Sequence, residues 1–244
     1  VLCAAVKINK FSMDFFHFAA LSGGTFDLGA RGIIRTNFRR LVPAPTGQER
    51  FLIRAFVATH VPSPILSSIE HQIEYLQKID PDRVIRWVRP QGIHLTWKFL
   101  GDIREELVET ILGAMETGLS DCAPLDSDAG GLGAFPNMRK PRVLWVGLDD
   151  SGRKLAGIYE RVETVFDRLN FERERRAFHP HLTLGRVKRQ ASRRLVRDFA
   201  ERLAGVDLPH IGQMRIDRVH LVRSELSTSG AVYHDMGSVQ LGGA

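Results

Sequence analysis

The tripeptide His-Leu-Thr occurs twice in this chain, at 94–96 and at 181–183, and each copy closes the same succession of hydrophobic patterns. Chance yields roughly 0.4 His-x-Thr triplets in a sequence of this His and Thr content, so two copies with the same middle Leu call for a common cause. Ahead of the first copy, "RFLIRAFVAT" has the short β-favouring run of a buried strand. "SPILSSIEHQIEYLQKID" then carries Leu66, Ile69, Ile73 and Leu76 at helical spacing, with Ser63 as candidate N-cap, Pro64 in the first turn and Pro81 beyond the end. After the strand "IHLTWKFLG", the stretch "IREELVETILGAMETGL" repeats apolar residues from Ile103 to Leu119 every four positions, a second helical stripe. The order then recurs: "RVLWVGL" as strand, "LAGIYERVETVFDRL" as helix, "HLTLGRV" as strand and "RRLVRDFAERLAG" as helix. The histidine follows the start of its unit by 43 residues in the first case (Phe51 to His94) and 39 in the second (Arg142 to His181). Matching order and spacing predict an internal duplication, with lobes at about 50–125 and 140–244. Between them, "AGGLGAFPNMRKP" reads as a turn-rich connection; it completes no GxGxxG and is followed by a strand, so it is no dinucleotide loop. Two further β-like stretches, "MRIDRVHLVRSEL" and "AVYHDMGSVQL", separated by a Ser/Thr/Gly turn, are expected to complete the sheets.

In a strand, side chains two apart share a face, so His94 projects with Thr96 and His181 with Thr183, while Leu95 and Leu182 turn to the buried side. If the duplicated lobes pack about a pseudo-two-fold axis, both strands face one cleft and an imidazole enters from each side. In-line displacement at phosphorus uses such an arrangement: a base deprotonates the attacking water and an acid opposite it protonates the leaving alkoxide. Histidine suits both tasks because its ordinary pKa of ~6.5 lies near working pH. The threonine hydroxyls would hold the non-bridging phosphate oxygens, and the scheme requires no metal or other cofactor.

Bulk properties narrow the setting. The chain has 244 residues, 43% hydrophobic and 25% charged, enough for a real core, and its formal charge of +6 favours phosphate-bearing partners without naming one. Two cysteines, Cys3 and Cys122, make neither a disulfide framework nor a Cys-rich metal site, so a reducing cytoplasm is the expected compartment. No apolar run approaches the ~20 residues that span a bilayer, and no membrane association is expected. Residues 1–49 show no sustained period, and their apolar patch is interrupted by Asp14 and His17, which makes a poor signal peptide; they are expected to be a flexible extension outside a domain at 50–244.

The ordered set "RAFVA", "IHLTWKFLGD", "GLGAFPNMRKPRVLWVGL", "FHPHLTLGRV" and "LVRSEL…GAVY" resembles the two-histidine (2H) phosphoesterases, and among them the bacterial and archaeal RNA 2',3'-cyclic phosphodiesterases, historically called 2'-5' RNA ligases. The resemblance runs from about Arg50 to Gln240. It implies a bilobal α+β fold with two pseudo-symmetric lobes around a central cleft. It also implies hydrolysis of an RNA 2',3'-cyclic phosphate at the bond to O3', leaving a 2'-phosphate, together with weak 2'-5' RNA ligation. The partner implied is RNA bearing such an end, and the expected state is a monomer with no obligatory protein partner. Carried over by position, His94 is the proton donor and His181 the proton acceptor, with Thr96 and Thr183 on the phosphate. Arg186 matches a basic residue of the second motif and is a candidate phosphate ligand through its planar donor fork. Its offset of five from His181 puts it on the wrong face of a regular strand, which a bulge or bend at Gly185 would relieve. Lys98, four residues after His94, is the simpler geometric candidate in the first lobe. Trp97 departs from the aliphatic residue commoner in the family and is expected to affect packing.

Other readings stay open at this level. His94, His179 and His181 could supply three imidazoles to zinc, although Pro180, the threonine companions and the want of a carboxylate argue against it. Phe135 is a candidate for stacking a base, set against the frequent burial of Phe. "FERERRAF" and "RVKRQASRR" offer basic residues beside the second motif, which solvated faces would also explain. The alternative functions are a 2H phosphodiesterase acting on a small cyclic nucleotide or ADP-ribose cyclic phosphate, and a non-catalytic RNA-binding module.

Overall fold

A computed structural model of the chain describes residues 51–227 and 230–243; the extension expected at 1–49 and part of the Ser/Thr/Gly turn expected between the last two β-like stretches lie outside the described residues. Among the described residues, nine strands and four helices alternate in the order β1 (Leu52–His60), α1 (Ser63–Ile79), β2 (Ile85–Trp87), β3 (His94–Arg104), α2 (Val108–Leu119), β4 (Leu125–Phe135), β5 (Val143–Leu148), α3 (Lys154–Arg168), β6 (His181–Val187), α4 (Arg193–Leu203), β7 (Gly212–Ile216), β8 (Arg218–Ser227) and β9 (Gly230–Gln240). The strands form one sheet ordered β7-β4-β5-β6-β3-β1-β8-β9, antiparallel at each junction, with β2 added alongside β6. This order is symmetric about the β6/β3 junction: β3 and β6 carry the His-Leu-Thr motifs, β1 and β5 are their hairpin-like partners, and β8-β9 and β4-β7 flank each side.

The halves are not the contiguous blocks 50–125 and 140–244. β8 and β9 pair onto β1 in the first half, while β2 pairs with β6 in the second. One residue, Asp217, joins β7 to β8, yet the two stand six strand spacings apart in the sheet order. At ~4.8 Å per spacing a flat sheet would separate them by roughly 29 Å, far beyond the reach of one linking residue, so the sheet must curl.

Three local departures from the sequence reading have physical causes. The first carbonyl captured by α1 is that of Pro62, which accepts from Ile65 and Leu66 at 3.0 Å, so Pro62 and not Ser63 is the N-cap. Ile103 does not open the second helix; it pairs with Ile53 at the end of β3, and α2 begins at Val108. The glycine-rich segment read as a connection is strand β4, paired with β5 on one side and β7 on the other. Its glycines serve the strand: the Trp145 ring lies where a Cβ on Gly133 would be, 2.1–2.4 Å away, and Gly131 (φ +67°) takes up a bulge opposite β5.

The main core lies between one sheet face and the helices, joining Val57, Leu95, Val146 and Leu182 from the strands to Ile69, Met115, Phe166 and Phe199. The other face carries a small cluster of Phe56, Ala58 and Val222 with Tyr233 packed on it.

Candidate active site

The two motif strands touch at a single ladder position, Leu95 opposite Leu182. An antiparallel register through that pair sets His94 opposite Thr183 and Thr96 opposite His181. Both leucines are buried in the core, so all four polar side chains project together from the other face. Neither threonine hydroxyl forms a hydrogen bond among the described residues, which leaves both free for a ligand.

Each imidazole is fixed by the backbone two residues upstream. His181 Nδ1 lies 2.6 Å from the His179 carbonyl oxygen; a carbonyl only accepts, so Nδ1 holds the proton and Nε2 is left as the free ring position. For His94 the backbone of Gly92, likewise two residues upstream, favours the protonated ring. Aromatic edges complete the settings: Tyr233 stands edge-on to His94 at 5.1 Å with Phe56 at 4.7 Å, and Phe135 stands edge-on to His181 at 4.9 Å with Trp145 at 6.0 Å. Phe135, the candidate base platform, is therefore a half-buried wall beside the second histidine rather than a core residue.

Burial lowers the pKa of His94 to about 4, with the charges of His60, Arg186 and His181 adding to the shift and the Gly92 hydrogen bond opposing it. His181 is lowered from 6.5 for the same leading reason, with Arg186 and His179 adding to it and its own carbonyl bond opposing. Arg186 thus acts on both rings at once.

A bulge one residue past each motif decides which cation reaches the cleft. In β3, Ala58 pairs with Thr96 and Val57 with Lys98, leaving Trp97 as the extra residue. Trp97 and Lys98 both turn to the core as a result, and the expectation of Lys98 beside His94 is overturned. Its ammonium donates to Glu163 at 2.8 Å and to the Glu172 carbonyl at 2.9 Å, with the Lys98 and Glu163 side chains 5% and 2% exposed. Trp97 is buried, donates to Thr59 Oγ1 at 2.9 Å and stacks on Phe178, a packing role. In β6, Trp145 pairs with Thr183 and Leu144 with Gly185, leaving Leu184 extra. Arg186 is thereby returned to the face of His181 and Thr183, by the irregularity expected near Gly185.

His179 contributes its carbonyl to the site. Among the described residues, the side chains that converge closely enough to hold a metal are instead His60, His220 and Asp235, whose ligand atoms lie within 4.8 Å of one another. His60 Nε2 is 2.8 Å from one Asp235 oxygen, and His60 is the cross-strand partner of His94. These three residues and Tyr233 escaped the sequence reading. Tyr233 belongs to the "GAVY" signal, but nothing local to that stretch announces that β9 brings it against His94.

Residues 66–228 match the 2'-5' RNA ligase superfamily. The chain is 30% identical to an RNA 2',3'-cyclic phosphodiesterase of Methanothermobacter thermautotrophicus over 75% of its own length and 96% of the relative's, and 31% identical to one from Archaeoglobus fulgidus over 75% and 98%. Among solved structures it resembles TT0787 of Thermus thermophilus, with a TM-score of 0.63 at 28% identity over 78% of this chain and 99% of that one. It shares the fold of E. coli LigT solved with 3'-AMP, with a TM-score of 0.61 at 23% identity over 78% and 99%. A matched region spanning both motifs, relatives aligned over nearly their whole length and a common curled sheet lead to one conclusion: the chain belongs to the 2'-5' RNA ligase superfamily.

Proposed function

We propose that this protein hydrolyses RNA 2',3'-cyclic phosphate ends to terminal 2'-phosphates by metal-independent acid and base catalysis. His181 Nε2 takes a proton from water, whose oxygen bonds to phosphorus in line with the departing O3'; as the P–O3' bond breaks, His94 donates the proton that O3' needs. Thr96, Thr183 and Arg186 hold the non-bridging oxygens, whose charge must be stabilised in the transition state. Burial keeps the free His94 ring neutral, so the anionic phosphate itself has to draw the proton onto it, as an adjacent negative charge does for any imidazole. With a 5'-hydroxyl attacking in place of water, the same transfers break the P–O3' bond and join a 2'-5' bond weakly.

The observation that carries this reading is the Leu95–Leu182 pair, which places two His-Thr pairs on one face in mirrored order. The machinery lies within one chain, in keeping with a monomer that needs no partner subunit. We assign it to a domain at 50–244 and to the cytoplasm; among the described residues Cys122 is a free thiol, and no helix is long and apolar enough to cross a membrane.

The test is mass analysis of a short RNA ending in a 2',3'-cyclic phosphate, incubated in EDTA with wild type, His94→Ala and His181→Ala. Gain of one water with wild type alone, mapped to a 2'-phosphate, is the expected result. An unchanged substrate overturns the reading, and activity abolished by EDTA overturns its metal-free form and turns attention to His60, His220 and Asp235.

A further inference from the structure

β2 is three residues long and pairs only with β6, placing Arg86 directly opposite Arg186. Its neighbours Ile85 and Trp87 point to the core side, where they close over Gly185: a Cβ there would stand 2.5 Å from Ile85 Cγ2 and 3.1 Å from Trp87 Cε3. Arg86 therefore projects to the opposite face, the one that carries the histidines.

Like charges at facing positions of a sheet repel. Some surface arginines are matched with carboxylates, as Arg173 is with Glu160, Arg202 with Asp82 and Arg215 with Asp126. Among the described residues neither Arg86 nor Arg186 has such a partner. Both charges bear on Tyr233, which stands against His94, so the two guanidiniums belong to one neighbourhood with the catalytic ring.

A cyclic phosphate carries one negative charge, and two threonine hydroxyls with Arg186 are enough to hold it. The second arginine has no work to do on a mononucleotide. We propose that Arg86, working beside Arg186, binds the phosphodiester that links the last two nucleotides, so that the site selects cyclic phosphate ends of oligoribonucleotides over cyclic mononucleotides. This inference rests on the hydrolytic reading above and names its substrate class.

The decisive comparison is kcat/KM on a pentaribonucleotide ending in a 2',3'-cyclic phosphate against the corresponding nucleoside 2',3'-cyclic phosphate, for wild type, Arg86→Ala and Arg86→Lys. Wild type is expected to favour the oligonucleotide at least tenfold. Arg86→Ala should cut that ratio about tenfold or more, mainly through KM, and Arg86→Lys should restore it only in part, because an ammonium cannot reproduce a planar bidentate fork. The slope of log kcat/KM against log salt on the oligonucleotide should flatten by about 0.7, one single-strand phosphate contact. A ratio unchanged in Arg86→Ala overturns the proposal. If wild type turns over neither substrate, the hydrolytic reading fails, and equilibrium binding of the pentanucleotide bearing a 2'-phosphate still decides the role of Arg86. Weakening of about tenfold in Arg86→Ala supports it, and unchanged affinity overturns it.

Discussion

Lys98 offers a sharp test of how the bulge at Trp97 divides structure from chemistry. Its ammonium and the Glu163 carboxylate form a buried pair, completed by the Glu172 carbonyl on the cation and the Glu174 amide on the anion. Lys98→Met keeps the length of the side chain and deletes the charge, leaving a carboxylate 2% exposed with the Glu174 amide as its remaining donor. Breaking a buried pair from one side costs about 3–5 kcal/mol. For a folded unit of this size each kcal/mol moves Tm by about 2–4 °C, so Tm should fall by about 6–20 °C. Adding Glu163→Gln removes the stranded charge while keeping an acceptor for the Glu174 amide, and the double variant should regain about half or more of the loss. Differential scanning calorimetry measures both. Activity separates the alternatives: assayed well below its own Tm, Lys98→Met should retain kcat/KM on a cyclic phosphate end within about threefold. A cation that touched the phosphate would be missed in the transition state by about 10²–10³-fold, the cost of losing one such donor. A Lys98→Met protein with unaltered Tm and a hundredfold loss of kcat/KM would refute the placement of Lys98 in the core.

Two further predictions concern the histidines. Catalysis needs one ring neutral and one protonated, and both pKa values are pushed below 6.5 in the free protein, so the bell of kcat/KM against pH should have both limbs under 6.5, with the acid limb near 4; Arg186→Gln removes a cation that depresses both rings and should move the bell to higher pH while lowering its height about a hundredfold, and a bell that does not move would exclude Arg186 from their neighbourhood. Stability should follow the same buried ring: His94 binds its proton at 6.5 when unfolded and at about 4 when folded, so its contribution is fully present above 6.5 and is lost as pH falls toward 4. The loss is about 3 kcal/mol at 1.36 kcal/mol per pH unit, and urea unfolding of His94→Gln should lack that part of the acid slope.

The sequence made legible whatever depended on a few consecutive residues. Sharing of a face by His94 and Thr96, and by His181 and Thr183, needs only three residues of unbroken strand, and the matched order of the two motif-bearing units is written in spacing. Beyond the third residue the face of a side chain depends on geometry that single strands do not encode. A bulge arises from how a strand meets its neighbour, β3 against Val57 and Ala58, β6 against Leu144 and Trp145, and it reverses the face of all that follows. Hence Lys98, on the right face by counting, is in the core, and Arg186, on the wrong face by counting, is in the cleft. The glycines of β4 misled for a related reason: they mark the bed of the Trp145 ring, a contact between strands, where composition alone suggests a turn. Arg86 and Tyr233 reach the site from strands whose pairing no local pattern announces. The two bulges fall at the same offset from their histidines, so the backbone presents equivalent positions at Phe99 and Arg186, and both side chains are exposed. The near-symmetric frame therefore carries an apolar ring at one and a guanidinium at the other. Since that guanidinium bears on both histidines, and its strand partner Arg86 has no counterpart across the pseudo-axis among the described residues, the asymmetry of the site comes from side chains and from the added strand β2, while the near-symmetric sheet supplies the two opposed imidazoles.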